Sequence, residues 1–222
     1  MKKQGKLAIL VVALAMVGIL PAAAHALSYG FYNITNNNPG DATIGEAQLF
    51  VDVEDIGGGK VQFTFKNTGP EDSSITDIYF DNPDNPDPYL SFIEFYEETG
   101  VDFGEGAAPA NLSGGNDPLY SFSADISADS EPPTQPNGVN PGEYLGIVFE
   151  LNTTVFPAFT YADLIGDLSS GDLSIGIHVQ GYASGGSESF INNTTPVPEP
   201  ASMLLIGTGL AGLAGYRRKW RK

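Results

Sequence analysis

The chain has 222 residues, no cysteine and a formal charge of −17. Lack of cysteine removes any disulfide framework and any thiolate metal site. All 27 acidic residues fall between Asp41 and Glu199, opposed there only by Lys60 and Lys66, so residues 27–199 carry −25; a field of that sign repels phosphates and anionic headgroups and excludes a nucleic-acid partner.

Taken in order, the chain opens with the three regions of a secretory leader. Lys2, Lys3 and Lys6 precede an apolar run over 7–20, and Pro21 begins a small-residue end. Ala24-His25-Ala26 fits the A-x-A cleavage pattern, which predicts a Sec-type leader over 1–26 and Leu27 as the mature start. The run is shorter than a bilayer span requires.

Residues 27–193 alternate apolar and polar side chains through most of their length, the period of half-buried strands. A strand is expected over 45–53, with Ala47, Leu49, Val51 and Val53 on one face, and another over 60–66, with Val61, Phe63 and Phe65 inward. Gly57-Gly58-Gly59 between them supplies positive φ at little cost and marks a β-hairpin. Further strands are expected over 74–80, 89–96 and 142–151, then over 173–180 and 188–191, with Gly185-Gly186 turning the last pair. A short helix starts after Thr160, where Asp163 completes a capping box, and Ser169-Ser170-Gly171 ends it. The stretches 104–118 and 127–141, rich in Gly, Asn and Pro, are expected as surface loops. Many short strands with Gly, Pro and Asn turns predict an all-β domain, an antiparallel β-sandwich or jelly roll with one short helix.

Chemistry-bearing motifs are sparse in this body. His178 is its one histidine, and a Ser-His-Asp arrangement would have to use it; mid-strand, it reads as a cross-strand or solvated side chain. Glu94, Glu97 and Glu98 beside Phe92, Phe95 and Tyr96 are where paired carboxylates of a polysaccharide hydrolase would sit, yet a strand end with solvated acids is the favoured reading. The chain is therefore read as not an enzyme. Asp81, Asp84 and Asp87 recur every third residue among Asn and Pro. This spacing suits hard oxygen ligation of Ca²⁺, or else an acidic solvated loop. Tyr29, Phe31, Tyr32, Tyr79, Tyr89 and Tyr96 offer rings for a sugar-stacking platform, against the simpler reading of core packing.

The chain ends in three unlike pieces. Residues 194–200 form a polar, proline-rich linker ending in Pro198-Glu199-Pro200; prolines keep such a spacer extended. Residues 201–216 are apolar and uncharged, about 24 Å long as a helix, just short of the ~30 Å hydrocarbon core. Residues 217–222 carry Arg217, Arg218, Lys219, Arg221 and Lys222 around Trp220, a basic end that stays cytoplasmic. The order Pro-Glu-Pro, Leu204-Leu205, Gly209-Leu210, Leu213 and Arg217-Arg218 resembles the PEP-CTERM sorting domain. That resemblance, confined to the tail, implies recognition at Pro198, Glu199 and Pro200 by a membrane exosortase, with Arg217 and Arg218 as the terminal element. It further implies removal of the tail and delivery to the cell surface or extracellular matrix. Species with such signals make exopolysaccharide and biofilm, so the expected role is structural or interactive within that matrix. The competing expectation is a secreted carbohydrate-binding module, with Ca²⁺ as its candidate cofactor.

Overall fold

The computed structural model describes residues 26–82, 89–153 and 158–197. Ten antiparallel strands form one sheet: β1 (Leu27–Asn33), β2 (Leu49–Gly57), β3 (Lys60–Asn67), β4 (Ser74–Asp81), β5 (Leu90–Glu97), β6 (Phe103–Glu105), β7 (Ile126–Ser130), β8 (Tyr144–Leu151), β9 (Ser174–Gln180) and β10 (Glu188–Asn192). Their spatial order is β5-β8-β3-β2-β1-β10-β9-β4-β7-β6.

β1 is the strand on which the sheet turns. Its first half pairs with β2, from Leu27 opposite Val53 to Gly30 opposite Phe50. Its second half pairs with β10, from Phe31 opposite Asn192 to Asn33 opposite Phe190. The sheet thereby folds over, and its two halves face each other across a phenylalanine core. Phe63 of β3 and Phe80 of β4, on opposite halves, meet edge to face with centroids 5.1 Å apart. Phe149 of β8 lies 5.1 Å from Phe80 and 5.7 Å from Phe63. Edge-to-face pairs add about 0.5–1.5 kcal/mol each beyond area burial, so this cluster clasps the halves together.

The expected hairpin is present, with Gly57, Gly58 and Gly59 all at positive φ and Leu49, Val51, Val53, Val61, Phe63 and Phe65 fully buried. The strands expected over 74–80, 89–96, 142–151, 173–180 and 188–191 correspond to β4, β5, β8, β9 and β10. The capped helix is α3 (Tyr161–Ser170): Thr160 and Asp163 form the capping box, Leu164 and Leu168 are fully buried, and Gly171 closes the end at φ 88°.

Three expectations are corrected. The strand foreseen from 45 begins only at Leu49, because 39–48 is a helix, α1 (Pro39–Gln48). Asn38 caps it by accepting from the Gly40 amide, and Pro39 sits at the first helical position where its missing N–H costs nothing. Gly45 then lies against Phe190: a Cβ there would fall 2.2 Å from the ring, so only glycine lets α1 sit on β10. The loop expected over 127–141 holds β7 and a short turn, α2 (Thr134–Asn137), so the body has three helices rather than one among its described residues. The surface loop expected over 104–118 begins only after Gly104 and Glu105, which belong to β6, and its run to 125 does more than cross the surface: Leu112 and Phe122 are buried with Tyr79 and Ile191 on the outer face of the β10-β9-β4 half.

The leader, apart from Ala26, and the segment 198–222 lie outside the described residues. The expected membrane helix over 201–216 is among them; no described helix is long and apolar enough to cross a membrane.

Candidate functional site

The two outer faces of the folded sheet differ. The loop 106–125 covers the β10-β9-β4 face, whereas the β5-β8-β3-β2-β1 face has no such cover among the described residues. Strand register lays out the open face as rows. One row runs Tyr96, Gly146, Thr64, Asp52, Ser28; the next runs Tyr144, Lys66, Phe50, Gly30; a third runs Glu94, Val148, Gln62, Glu54. Tyr96 and Tyr144 are 51% and 45% exposed. Gly146 leaves a dip between Tyr96 and Thr64: a Cβ there would lie 3.1 Å from the Tyr96 Cβ and 3.2 Å from Gln62 Nε2. Tyr96 donates to Glu94 (3.3 Å), Gln62 donates to Thr64 (3.0 Å), and Lys66 pairs with Asp52. Lys60 and Lys66, the two cations between 27 and 199, both belong to β3 and alternate onto this face.

This face is not the ring platform expected from sequence. Tyr29, Phe31, Tyr79 and Tyr89 are buried, 0–4% exposed, and Tyr32 is half-buried, so of that set only Tyr96 offers a free ring. Tyr144 falls outward by simple alternation with the inward Leu145, Ile147 and Phe149; what the sequence could not show is that the register opposite Lys66 sets it on the same open face as Tyr96.

Under the covering loop runs a polar row that sequence could not align. Ser189, His178, Asp77 and Asp129 stand opposite one another on β10, β9, β4 and β7. His178 Nδ1 lies 3.1 Å from Ser189 Oγ. Burial holds the imidazole below its usual value, against the opposing pull of Glu188. Asp77 accepts from Thr76 Oγ1 at 2.9 Å and is pushed up to about 6, first by burial, with the nearby Asp129 charge adding to it. A serine, a histidine and an aspartate thus share a row, but Ser189 is fully buried. A nucleophile must reach its substrate, so this row works as a polar seam beneath the cover rather than as a catalytic triad.

Of the three aspartates considered for Ca²⁺, Asp81 ends β4, buried, accepting from the Ser123 amide at 2.9 Å; burial raises it to about 6, offset by that bond and reinforced by Asp125. Asp84 and Asp87 lie outside the described residues. No cluster of three or more His, Asp or Glu side chains suited to a metal occurs among the described residues. Glu97 accepts from the Phe103 amide at 2.7 Å and so ties β5 to β6.

The body meets the sorting segment at the start of β1. Beyond Gly30, β1 passes from β2 to β10, and the side of Leu27–Gly30 facing away from β2 is bordered by the chain that leaves β10. The Asn193 amide donates to Gly30 O (2.8 Å) and the Val197 amide to Ser28 O (2.7 Å), with Ser28 and Val197 directly opposed. The described part of the expected linker is therefore fastened to the body at Val197. Of the cleavage residues, Ala24 is outside the described chain; Ala26 immediately precedes β1, and Leu27 is its first residue, opposite Val53. Pro198, Glu199, Pro200, Arg217 and Arg218 also lie outside it.

No curated protein and no solved structure matches this chain. The family model for the PEP-CTERM protein-sorting motif matches residues 196–219, so the chain carries this sorting signal at its C-terminal tail, and its second residue, Val197, pairs with Ser28 of β1.

Proposed function

We propose that the chain is an exported cell-surface or extracellular-matrix protein, processed by an exosortase, whose acidic β domain serves a structural or interaction role among exopolysaccharides. The observation that carries this reading is the sorting motif over 196–219, joined directly to a folded body whose pairing ends at Val197. All ten described strands lie before Pro198, so removing the segment from Pro198 onward cuts none of them. A surface charge far from zero keeps the freed body soluble and unaggregated outside the cell.

Expression of the full chain in an exosortase-bearing bacterium, followed by fractionation and intact mass measurement, tests it. The expected product lacks residues 1–26 and the tail and is recovered with the extracellular polymer. In a strain without exosortase, the tail is retained and the protein stays with the inner membrane. Recovery of the same uncut protein from the same compartment in both strains would sink the reading.

The open face supports a second reading, a carbohydrate-binding module. Exposed Tyr96 and Tyr144 flank the Gly146 dip, with the amide of Gln62, the hydroxyl of Thr64 and the charges of Asp52 and Lys66 alongside. Stacking rings beside hydrogen-bonding groups are what a sugar ring requires. Electrophoresis through gels cast with neutral polysaccharides (glucomannan, xylan, hydroxyethylcellulose) is expected to retard the protein, and Tyr96→Ala with Tyr144→Ala to lower affinity at least tenfold. Absence of retardation by all three polymers, or retardation unchanged in the double variant, removes this reading.

A further inference from the structure

The first residues of the sorting motif have two competing uses. In Pro196-Val197-Pro198-Glu199-Pro200 every second residue is proline and lacks an N–H, so Val197 and Glu199 supply the segment's only backbone donors. One of the two is already taken: the Val197 amide donates to Ser28 O at 2.7 Å. Enzymes and binding domains that read an extended segment do so largely through such backbone donors, by adding it as a strand to their own edge. An N–H cannot serve Ser28 and an enzyme edge at once.

We propose that β1 acts as a docking edge that holds the start of the sorting segment against the folded body, and that the exosortase must draw Val197 away from Ser28 to engage it. This rests on the exosortase-processed reading above. Three features favour a hold that can open. The tie is made at two separated points, Asn193 to Gly30 and Val197 to Ser28, with the intervening 194–196 bent away rather than laddered. Val197 is 40% exposed, so its side chain adds little burial to the contact. The edge it occupies is also the first half of β1, which stays fully paired with β2 when Val197 leaves. Detachment thus frees the signal without unfolding the sheet. It follows too that the corner of the body bearing Ser28 and Val197 is the one presented to the membrane enzyme.

A covalent lock tests the proposal, and the absence of native cysteine makes it clean. Ser28→Cys with Val197→Cys places two thiols on directly opposed residues, where a disulfide can close. In exosortase-bearing cells, the oxidised full chain is expected to lose its tail at least tenfold more slowly than wild type, with reductant restoring the rate and each single variant processed normally. Equal rates for the locked and reduced forms overturn the proposal. Should the disulfide not close, hydrogen exchange of the Val197 amide in the full chain, held in detergent micelles, decides instead. Protection like that of Asn193 supports the hold, and exchange at the rate of an unstructured peptide overturns it. If wild type itself keeps its tail in these cells, the exosortase reading fails; if wild type is processed and the lock is indifferent, only the docking edge fails.

Discussion

Phe80→Ala is expected to cost about 4 kcal/mol, the middle of the range for deleting a buried ring. Phe80 is 2% exposed and is the ring on β4 that meets Phe63, Phe65 and Phe149 from the other half of the sheet. Truncation removes three edge-to-face contacts and opens a void at the centre of the core, where the surrounding strands cannot close in. For a domain of this size each kcal/mol moves the melting point by roughly 2–4 °C, so a drop of about 8–16 °C is expected in a thermal melt followed by circular dichroism. Phe80→Leu keeps most of the volume and should lose less than half as much. A loss under about 1 kcal/mol for the alanine variant would mean that the two halves are not packed face to face through this ring.

The second large effect is expected at Glu188, the first residue of β10. Its carboxylate is fully buried and accepts four hydrogen bonds: from Thr35 Oγ1 (2.5 Å), Asn33 Nδ2 (3.0 Å), and the amides of Asn37 (3.1 Å) and Asn38 (2.5 Å). Burial alone would raise its pKa, but these donors outweigh burial and hold the carboxyl below its usual value. Glu188→Gln puts an NH₂ group where donors already point: at the Oε1 position it orphans the Asn38 amide, and at the Oε2 position it faces Thr35, Asn33 and Asn37 together. The expected cost is about 3 kcal/mol, the scale of a broken buried, charge-assisted set. Because the folded-state pKa is lowered, this stabilisation is complete above the unfolded value of ~4.3 and is lost as pH falls through the folded one. The gap between wild type and variant should therefore be constant from pH 5 to 8 and shrink below about pH 4. Asp77 works in the opposite sense: raised to about 6, it destabilises the fold above that pH and ceases to do so as the pH falls from 6 toward its unfolded value. Over pH 3 to 7 the two contributions therefore slope in opposite directions, that of Glu188 being lost below about pH 4 and that of Asp77 becoming unfavourable as the pH rises from about 4 to 6. Denaturant titrations across that range measure both slopes; a gap that persists unchanged to pH 3 would show that the Glu188 charge contributes nothing.

These two residues also mark how far the sequence could be read. Phe63, Phe65 and Phe149 announce themselves as core through strict alternation, because a strand's side chains point to opposite faces in turn, whereas Phe80 follows Ile78 and Tyr79 in a strand buried on both sides and only the fold shows which way it points. The same period gave the β2–β3 hairpin, the inward faces of β8 and β9, and the capped helix α3, each of which depends on residues within a few positions of one another. Glu188 could not be recognised in this way. It looks like an ordinary strand-start acid until the fold brings 33–38 to it from about 150 residues away. The helix α1 was missed for the same reason. Ala47, Leu49, Val51 and Val53 alternate like one strand. What separates Ala47 from the other three is the Asn38 cap, steadied by Glu188, and the seat of Gly45 on Phe190.

The sequence by itself determined the sorting signal, the strongly negative body and most of the strands, since composition, short motifs and period-two patterning are local properties. Only the tertiary structure decided which of two similar sheet faces is covered, that Ser189, His178 and Asp77 share a row beneath that cover, and that Tyr96 and Tyr144 share the open side. It also decided that the sorting segment does not simply trail from the body. Val197 is bound to Ser28 because β1 changes partner at Gly30 and leaves an edge there, and a vacant edge between strands distant in sequence is written in no local pattern.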